Sequence, residues 1–185
     1  MRKNWAALAL TGMLCLTTFA GIQTVSAETA DSAKQVDIVF THDTHSHLNT
    51  FTTIVDEAEK EVGGFARINT LIQEQKAKNP DTLVIDGGDF SMGTLIQTVF
   101  ETQAAEIRML GYMGCDVTTL GNHEFDYRSK GLANMLNSAA ESGDDLPAMV
   151  VCNVDWDSME QAGLSDGQQQ IQSAFETYGV KDYVV

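Results

Sequence analysis

Apolar and polar positions follow one another in short blocks along this chain, and the blocks predict strands and helices by turns. Residues 36–40, Val-Asp-Ile-Val-Phe, predict a first strand. Over residues 65–78, Phe65, Ile68 and Ile72 recur at helical spacing, Lys76 and Lys78 fall in the last turn, and Pro80 lies beyond. Residues 82–86 read as a short apolar strand running into Gly87-Gly88. A helix is expected over residues 102–113, with Ala105, Met109 and Tyr112 on its apolar side and Gly114 at its end. Residues 116–120 predict a third strand, ending at Gly121. The strongest helical signal covers residues 129–142, where Leu132, Met135, Leu136, Ala139 and Ala140 fall on one face and Gly143 stops the run. Residues 148–154 predict a fourth strand. The polar stretch 155–170 reads as a surface loop or a helix, and residues 175–185 as the start of another element, with a strand from Tyr183.

Helices set between apolar strands imply an α/β fold with a parallel sheet. In such sheets ligands gather beyond the carboxyl ends of the strands. Three polar clusters sit at those predicted ends: Asp43-Thr44-His45, Gly87-Gly88-Asp89 and Gly121-Asn122-His123-Glu124.

The first residues change the picture of where the protein works. Arg2 and Lys3, an apolar run over residues 5–20, and the small residues of Val25-Ser26-Ala27 predict an export signal over residues 1–27. Thr11, Gly12, Thr17 and Thr18 interrupt the run, which argues against a membrane span. Leu14 before Cys15 is too bulky for a lipid-anchor signal. A secreted, periplasmic or cell-surface protein without a membrane span is expected. A flexible polar segment over residues 28–35 then leads into one domain over residues 36–185.

Losing Arg2 and Lys3 leaves nine basic against 26 acidic residues, a net charge of −17. A surface that acidic disfavours a nucleic-acid polymer as partner. It also repels phosphate esters, so such a substrate needs positive charge concentrated in its site, which bound metals supply. Cys115 and Cys152 remain after processing, at opposite ends of predicted parallel strands. That places them beyond the roughly 7 Å Cα separation a disulfide spans, so two free, buried thiols are expected.

The clusters offer carboxylates, imidazoles and an amide without thiolates, a donor set for hard or borderline divalent cations rather than for a structural zinc knot. Paired cations are a general device for attacking phosphate esters. Asp43 and His45, two residues apart after a strand, can converge on one ion; the alternative is a polar turn, although three of the four histidines lie within residues 42–47. Asp89 has two oxygens to share between two cations, and Asp86, the last strand residue, is its competitor or its support. Asn122 can give a carbonyl oxygen to a metal. His123 can then face a substrate while Asp126 accepts from its other ring nitrogen. Asn122 or Asp126 can equally cap the following helix.

These clusters, with the fuller strings Thr41-His42-Asp43-Thr44-His45-Ser46-His47-Leu48 and Gly121-Asn122-His123-Glu124-Phe125-Asp126, resemble the first motifs of the calcineurin-like metallophosphoesterases. Within that superfamily they are most similar to the secreted 5′-nucleotidase branch, with its UDP-sugar hydrolases and 2′,3′-cyclic-nucleotide phosphodiesterases. The resemblance implies an αββα sandwich and two divalent metal ions, zinc, manganese or iron. It implies Asp43 and His45 on the first metal, Asp89 bridging, Asn122 on the second, and His123 with Asp126 as catalytic dyad. His42 and His47 receive no metal role. The implied substrate is a small nucleotide or other phosphate ester. The family's pattern continues with further metal-binding histidines and a separate nucleoside-binding domain, whereas no histidine follows His123 here. The expectation is therefore an N-terminal portion of a longer enzyme, with the sandwich truncated and an apolar sheet face left open. The rival readings are an inactive fragment, a secreted metal- or ligand-binding module without catalysis, and a hydrolase of sulfur esters.

Overall fold

A computed structural model describes residues 36–185; the leader and polar segment expected over residues 1–35 lie outside the described residues. In chain order, strand β1 (Ile38–Thr41) is followed by a hairpin of β2 (Phe51–Val55) and β3 (Ala58–Val62), then helix α1 (Phe65–Lys78) and strand β4 (Leu83–Asp86). A 3-10 turn (Leu95–Val99) leads into helices α2 (Phe100–Gln103) and α3 (Ala105–Tyr112), and these into strand β5 (Val117–Thr118). A second 3-10 turn (His123–Phe125) precedes α4 (Arg128–Glu141), β6 (Ala148–Met149), α5 (Trp156–Ala162) and α6 (Asp166–Tyr178).

The main sheet is parallel, in the order β1-β4-β5-β6. Each strand adds beside the last, so with right-handed crossovers every connecting helix falls on the same side. Burial shows the result. Val84, Thr118 and Met149 face the helices and are at most 1 % exposed, while Ile38 and Phe40 on the other face are 56 % and 58 % exposed. The core under the helix layer is built from Phe65, Ile72, Phe90, Phe100, Ile107, Leu132 and Leu136. This is the α/β architecture expected, with one main sheet and one helix layer among the described residues. The other face of that sheet forms, among the described residues, an apolar trough of about 660 Å³, walled by Phe40, Ile85, Val117, Leu120 and Val150.

Several elements differ from expectation for local reasons. The helix over residues 102–113 is broken at Ala104, whose φ of 46° is left-handed. The buried side of α3 is consequently Ile107 and Leu110, continued by Met113, and Tyr112 is 76 % exposed. The third and fourth strands shorten to two residues each. The polar stretch after residue 155 is helical because it is capped. Asp155 accepts from Ser158 N at 2.9 Å, and Ser165 with Gln168 forms a reciprocal capping box. No strand forms at Tyr183; α6 runs to Tyr178, buries Ala174 and Phe175, and Lys181 alone bridges to Val150. The β2–β3 hairpin was not expected, since its turn uses Asp56 and Glu57 at positive φ (53° and 62°) in place of glycine or asparagine. Both cysteines are free as expected, although Cys152 is exposed and only Cys115 is buried. Among the described residues no helix is long and apolar enough to cross a membrane.

Candidate metal centre

The loops leaving β1 and β4 remain paired beyond the strands. Asp43 N donates to Gly88 O (3.0 Å), His45 N to Asp89 O (3.1 Å) and Ser46 N to Phe90 O (2.8 Å). This zipper carries Asp43, His45 and Asp89 in left-handed backbone, at φ 50°, 45° and 53°. Such conformations are unfavourable for residues with a Cβ and persist where surrounding bonds enforce them. The third loop is pressed against the second: a Cβ on Gly88 would lie 2.6 Å from Gly121 N, and Gly88 itself has φ +85°. Only glycine fits there.

Asp86 stands behind this junction. Its carboxylate accepts from Thr41 Oγ1 (2.8 Å), Thr118 Oγ1 (2.9 Å) and Gly88 N (3.0 Å), tying β1, β4 and β5 together at their carboxyl ends. Burial pushes its carboxyl above the usual range, and those three hydrogen bonds oppose the shift. It is 2 % exposed, with its oxygens bonded to Thr41, Thr118 and Gly88.

The residues expected at a metal site come together in front of Asp86. Asp43 Oδ1 lies 3.7 Å from His45 Nε2. Two ligands about 2.1 Å from a tetrahedral ion are about 3.4 Å apart, so this pair is close to a chelating separation. One donor atom from each of His45, Asp89 and His123 lies within 4.8 Å of the others. Asp89 Oδ1 accepts from His123 N at 2.9 Å. The Asn122 amide meets Asp89 Oδ2 at 3.0 Å. With its nitrogen inward it donates a hydrogen bond; with its oxygen inward two oxygens face each other, an arrangement that a cation between them would hold. The His45 and His123 rings meet edge to face, with centroids 5.0 Å apart.

His123 Nδ1 is held by Asp126 Oδ2 at 2.7 Å, leaving Nε2 for a ligand or a substrate. That hydrogen bond is the main cause of an imidazole pKa raised above the ordinary histidine value, with the charges of Asp126, Asp89 and Glu124 adding to it. Asp43 is shifted down, chiefly by its contact with His42 Nδ1. His47 turns away, with Nδ1 3.2 Å from Thr44 O and its ring against Phe51.

The electrostatics suit a divalent cation. Asp43 and Asp89 project toward the site, with Asp86, Glu106 and Glu124 buried behind. The ion pairs of Arg67, Lys76 and Arg108 are made elsewhere, with Glu61, Asp116 and Asp144. Carboxylate, imidazole and amide oxygen are the donors that zinc, manganese or iron accept. Asp43, His45, Asp89 and Asn122 therefore fit such ions in chemistry, while the set whose donor atoms all lie within 4.8 Å of one another is His45, Asp89 and His123. The sequence assigns nothing to Glu124, Ser91, Ser46 or Glu106, all fully buried around these loops. Glu124 figures there only as a letter of its motif; polar residues set beside predicted ligands are the available signal.

The chain is similar to several known proteins. The chain is 36% identical over 110 residues to the mouse 5′-nucleotidase, covering 58% of this chain and 19% of that protein. It is 29% identical over 140 residues to the Haemophilus influenzae NAD 5′-nucleotidase, covering 74% of this chain and 23% of that protein. The crystal structure of a 5′-nucleotidase precursor from Thermus thermophilus superposes with a TM-score of 0.56 at 30% identity, over 65% of this chain and 22% of that one. The chain thus spans about a fifth of the length of these relatives. Residues 36–180 match the calcineurin-like phosphoesterase family, the family to which this chain belongs.

Proposed function

We propose that this chain carries the first half of a two-metal site for hydrolysing phosphate esters, with nucleotides as the substrate class. One observation carries the reading: one donor atom from each of His45, Asp89 and His123 lies within 4.8 Å of the others, with Asp43 3.7 Å from His45, the Asn122 amide 3.0 Å from Asp89 Oδ2 and Asp126 bonded to His123. Asp43 and His45 would hold one divalent ion, Asn122 a second, and Asp89 would be shared. Bound ions of this kind neutralise phosphoryl oxygens and activate water. Asp126 fixes the His123 ring and favours its protonated form, so that Nε2–H donates toward charge building on those oxygens. Zinc, manganese and iron all suit these donors, and the leader-like residues 1–27 support an exported protein.

The nucleotidase relatives support nucleotides as substrates, and the activity is proposed for the polypeptide that contains this sequence. A second reading is a metal-binding module without turnover, because Asp43 and His45, 3.7 Å apart, are spaced to hold an ion whether or not a substrate follows. Phosphate release from nucleoside monophosphates, measured with chelator and after adding back Mn²⁺ or Zn²⁺, separates the two. Chelator-sensitive release that disappears in Asp89→Ala supports the hydrolase. Tight metal binding without release supports the module, and release indifferent to chelator refutes both.

A further inference from the structure

Glu124 is fully buried between the second and third loops, and both of its oxygens are doubly engaged. Oε1 accepts from Ser91 N (3.0 Å) and Ser91 Oγ (2.7 Å), while Oε2 accepts from Asp89 N (3.0 Å) and Gly121 N (2.6 Å). Four donors and no acceptor match an ionised carboxylate, which only accepts. An ordinary helix-start acid would take N–H groups of its own turn. Here two of the three backbone N–H groups come from another loop, more than thirty residues away in sequence.

The contact is reciprocal. Glu124 takes the backbone N–H of Asp89, and Asp89 Oδ1 takes the backbone N–H of His123, the neighbour of Glu124. Each loop thus presents a carboxylate to the other loop's main chain. Asp89 holds a left-handed φ of 53°, so its N–H direction depends on what receives it. We propose that Glu124 is a positioning residue, whose clasp on Asp89, Ser91 and Gly121 fixes the shared carboxylate of Asp89 against Asn122 and His123. The proposal rests on the metal-site reading above. It assigns to Glu124 no contact with an ion or a substrate.

Glutamine at this position has the same size but one accepting oxygen in place of two. Whichever way the amide turns, its NH₂ faces a backbone N–H, of Ser91 on one side or of Asp89 and Gly121 on the other. The volume is kept and the clasp is broken on one side.

The test compares the full chain with E124Q and with Leu136→Ala, a core change in α4. Co²⁺ affinity is measured by competition with a chromophoric chelator, the Co²⁺ absorption spectrum is recorded, and metal-free melting is followed by circular dichroism. Loss of a group that orients a ligand typically lowers metal affinity by about 10–100-fold. E124Q is expected to weaken Co²⁺ binding by that factor and to alter the spectrum, whereas Leu136→Ala lowers the melting temperature with affinity and spectrum unchanged. An E124Q protein that melts lower yet binds Co²⁺ as the unaltered chain does would overturn the proposal alone. Failure of the unaltered chain to bind Co²⁺ would overturn the metal-site reading and this proposal with it. If E124Q does not fold, Ser91→Ala carries the test, since it removes one of the four donors. Weaker Co²⁺ binding by Ser91→Ala is then expected, and unchanged binding refutes the role.

Discussion

Replacing Gly121 with alanine adds one methyl group at the tightest point of the candidate site. The new Cβ would stand 2.0 Å from Asp89 Oδ1, 2.5 Å from Asp89 Cγ and 2.6 Å from Asp89 N. Contacts below 3.0 Å are essentially never seen for a real Cβ, so the carboxylate must retreat by at least about 1 Å. It cannot swing aside freely, because Oδ1 is bonded to His123 N at 2.9 Å and the Asp89 N–H is bonded to Glu124 at 3.0 Å. The two loops must therefore part. Overpacking of this kind costs about 1–3 kcal/mol, which lowers the melting temperature of a chain this size by roughly 2–12 °C. The functional effect should be larger. Metal–ligand distances tolerate about 0.2 Å, and a 1 Å misplacement of a catalytic constellation can cost about 10²-fold in rate. Calorimetric titration with Mn²⁺ or Zn²⁺, alongside phosphate release, measures both. A Gly121→Ala protein that binds the ion with unaltered affinity and hydrolyses at the unaltered rate would refute the placement of Asp89 as shared ligand.

His123→Ala should leave metal content intact and lower turnover by on the order of 10²-fold, read by metal analysis and steady-state kinetics; loss of an ion would instead make His123 a ligand. Glu106 tests the buried charge. Burial raises its carboxyl pKa, and only Oε1 has a partner, Ser46 Oγ at 2.6 Å. With the folded value above the unfolded one, stability falls as pH rises from the unfolded toward the folded pKa. Glu106→Gln should thus melt higher than the unaltered chain at neutral pH, with the gap closing in acid, and a gap that does not change with pH would contradict this origin. Cys115, its thiol pushed up to about 12 by burial, should resist alkylation at pH 7–8 while exposed Cys152 reacts, as peptide mass mapping would show. Labelling of Cys115 at the rate of Cys152 would contradict that burial.

What the chain revealed in advance was local. The periodicity of Phe65, Ile68 and Ile72, with Lys76 and Lys78 closing the turn, marked out Phe65–Lys78 without structural help. The repeat of Leu132, Met135, Leu136 and Ala139 did the same for α4. The polar clusters could be expected on one rim because each follows an apolar strand, and strand ends in a parallel sheet share one rim. What stayed hidden depends on partners far away in sequence. Ala104 breaks a good helical pattern because tertiary packing places Ile107 and Leu110 in the core. Glu124 looks like an ordinary first-turn acid until its donors, residues 89 and 91, are brought beside it. The caps at Asp155 and Ser165, which no reading of the sequence above used, outweigh the polar composition of that stretch.

Among the described residues, strand β1 is the outermost member of the main sheet, paired on one side only, and its Ile38 and Phe40 lie on the face away from the helices. Outer strands are where native structure opens first and most often. Asp43 and His45 hang from this strand, whereas Asp89 and Asn122 are rooted in interior ones. On the two-ion reading proposed above, fraying of β1 would draw Asp43 and His45 away from the shared Asp89, so amide exchange along Ile38–Thr41 and escape of the first ion should share a rhythm.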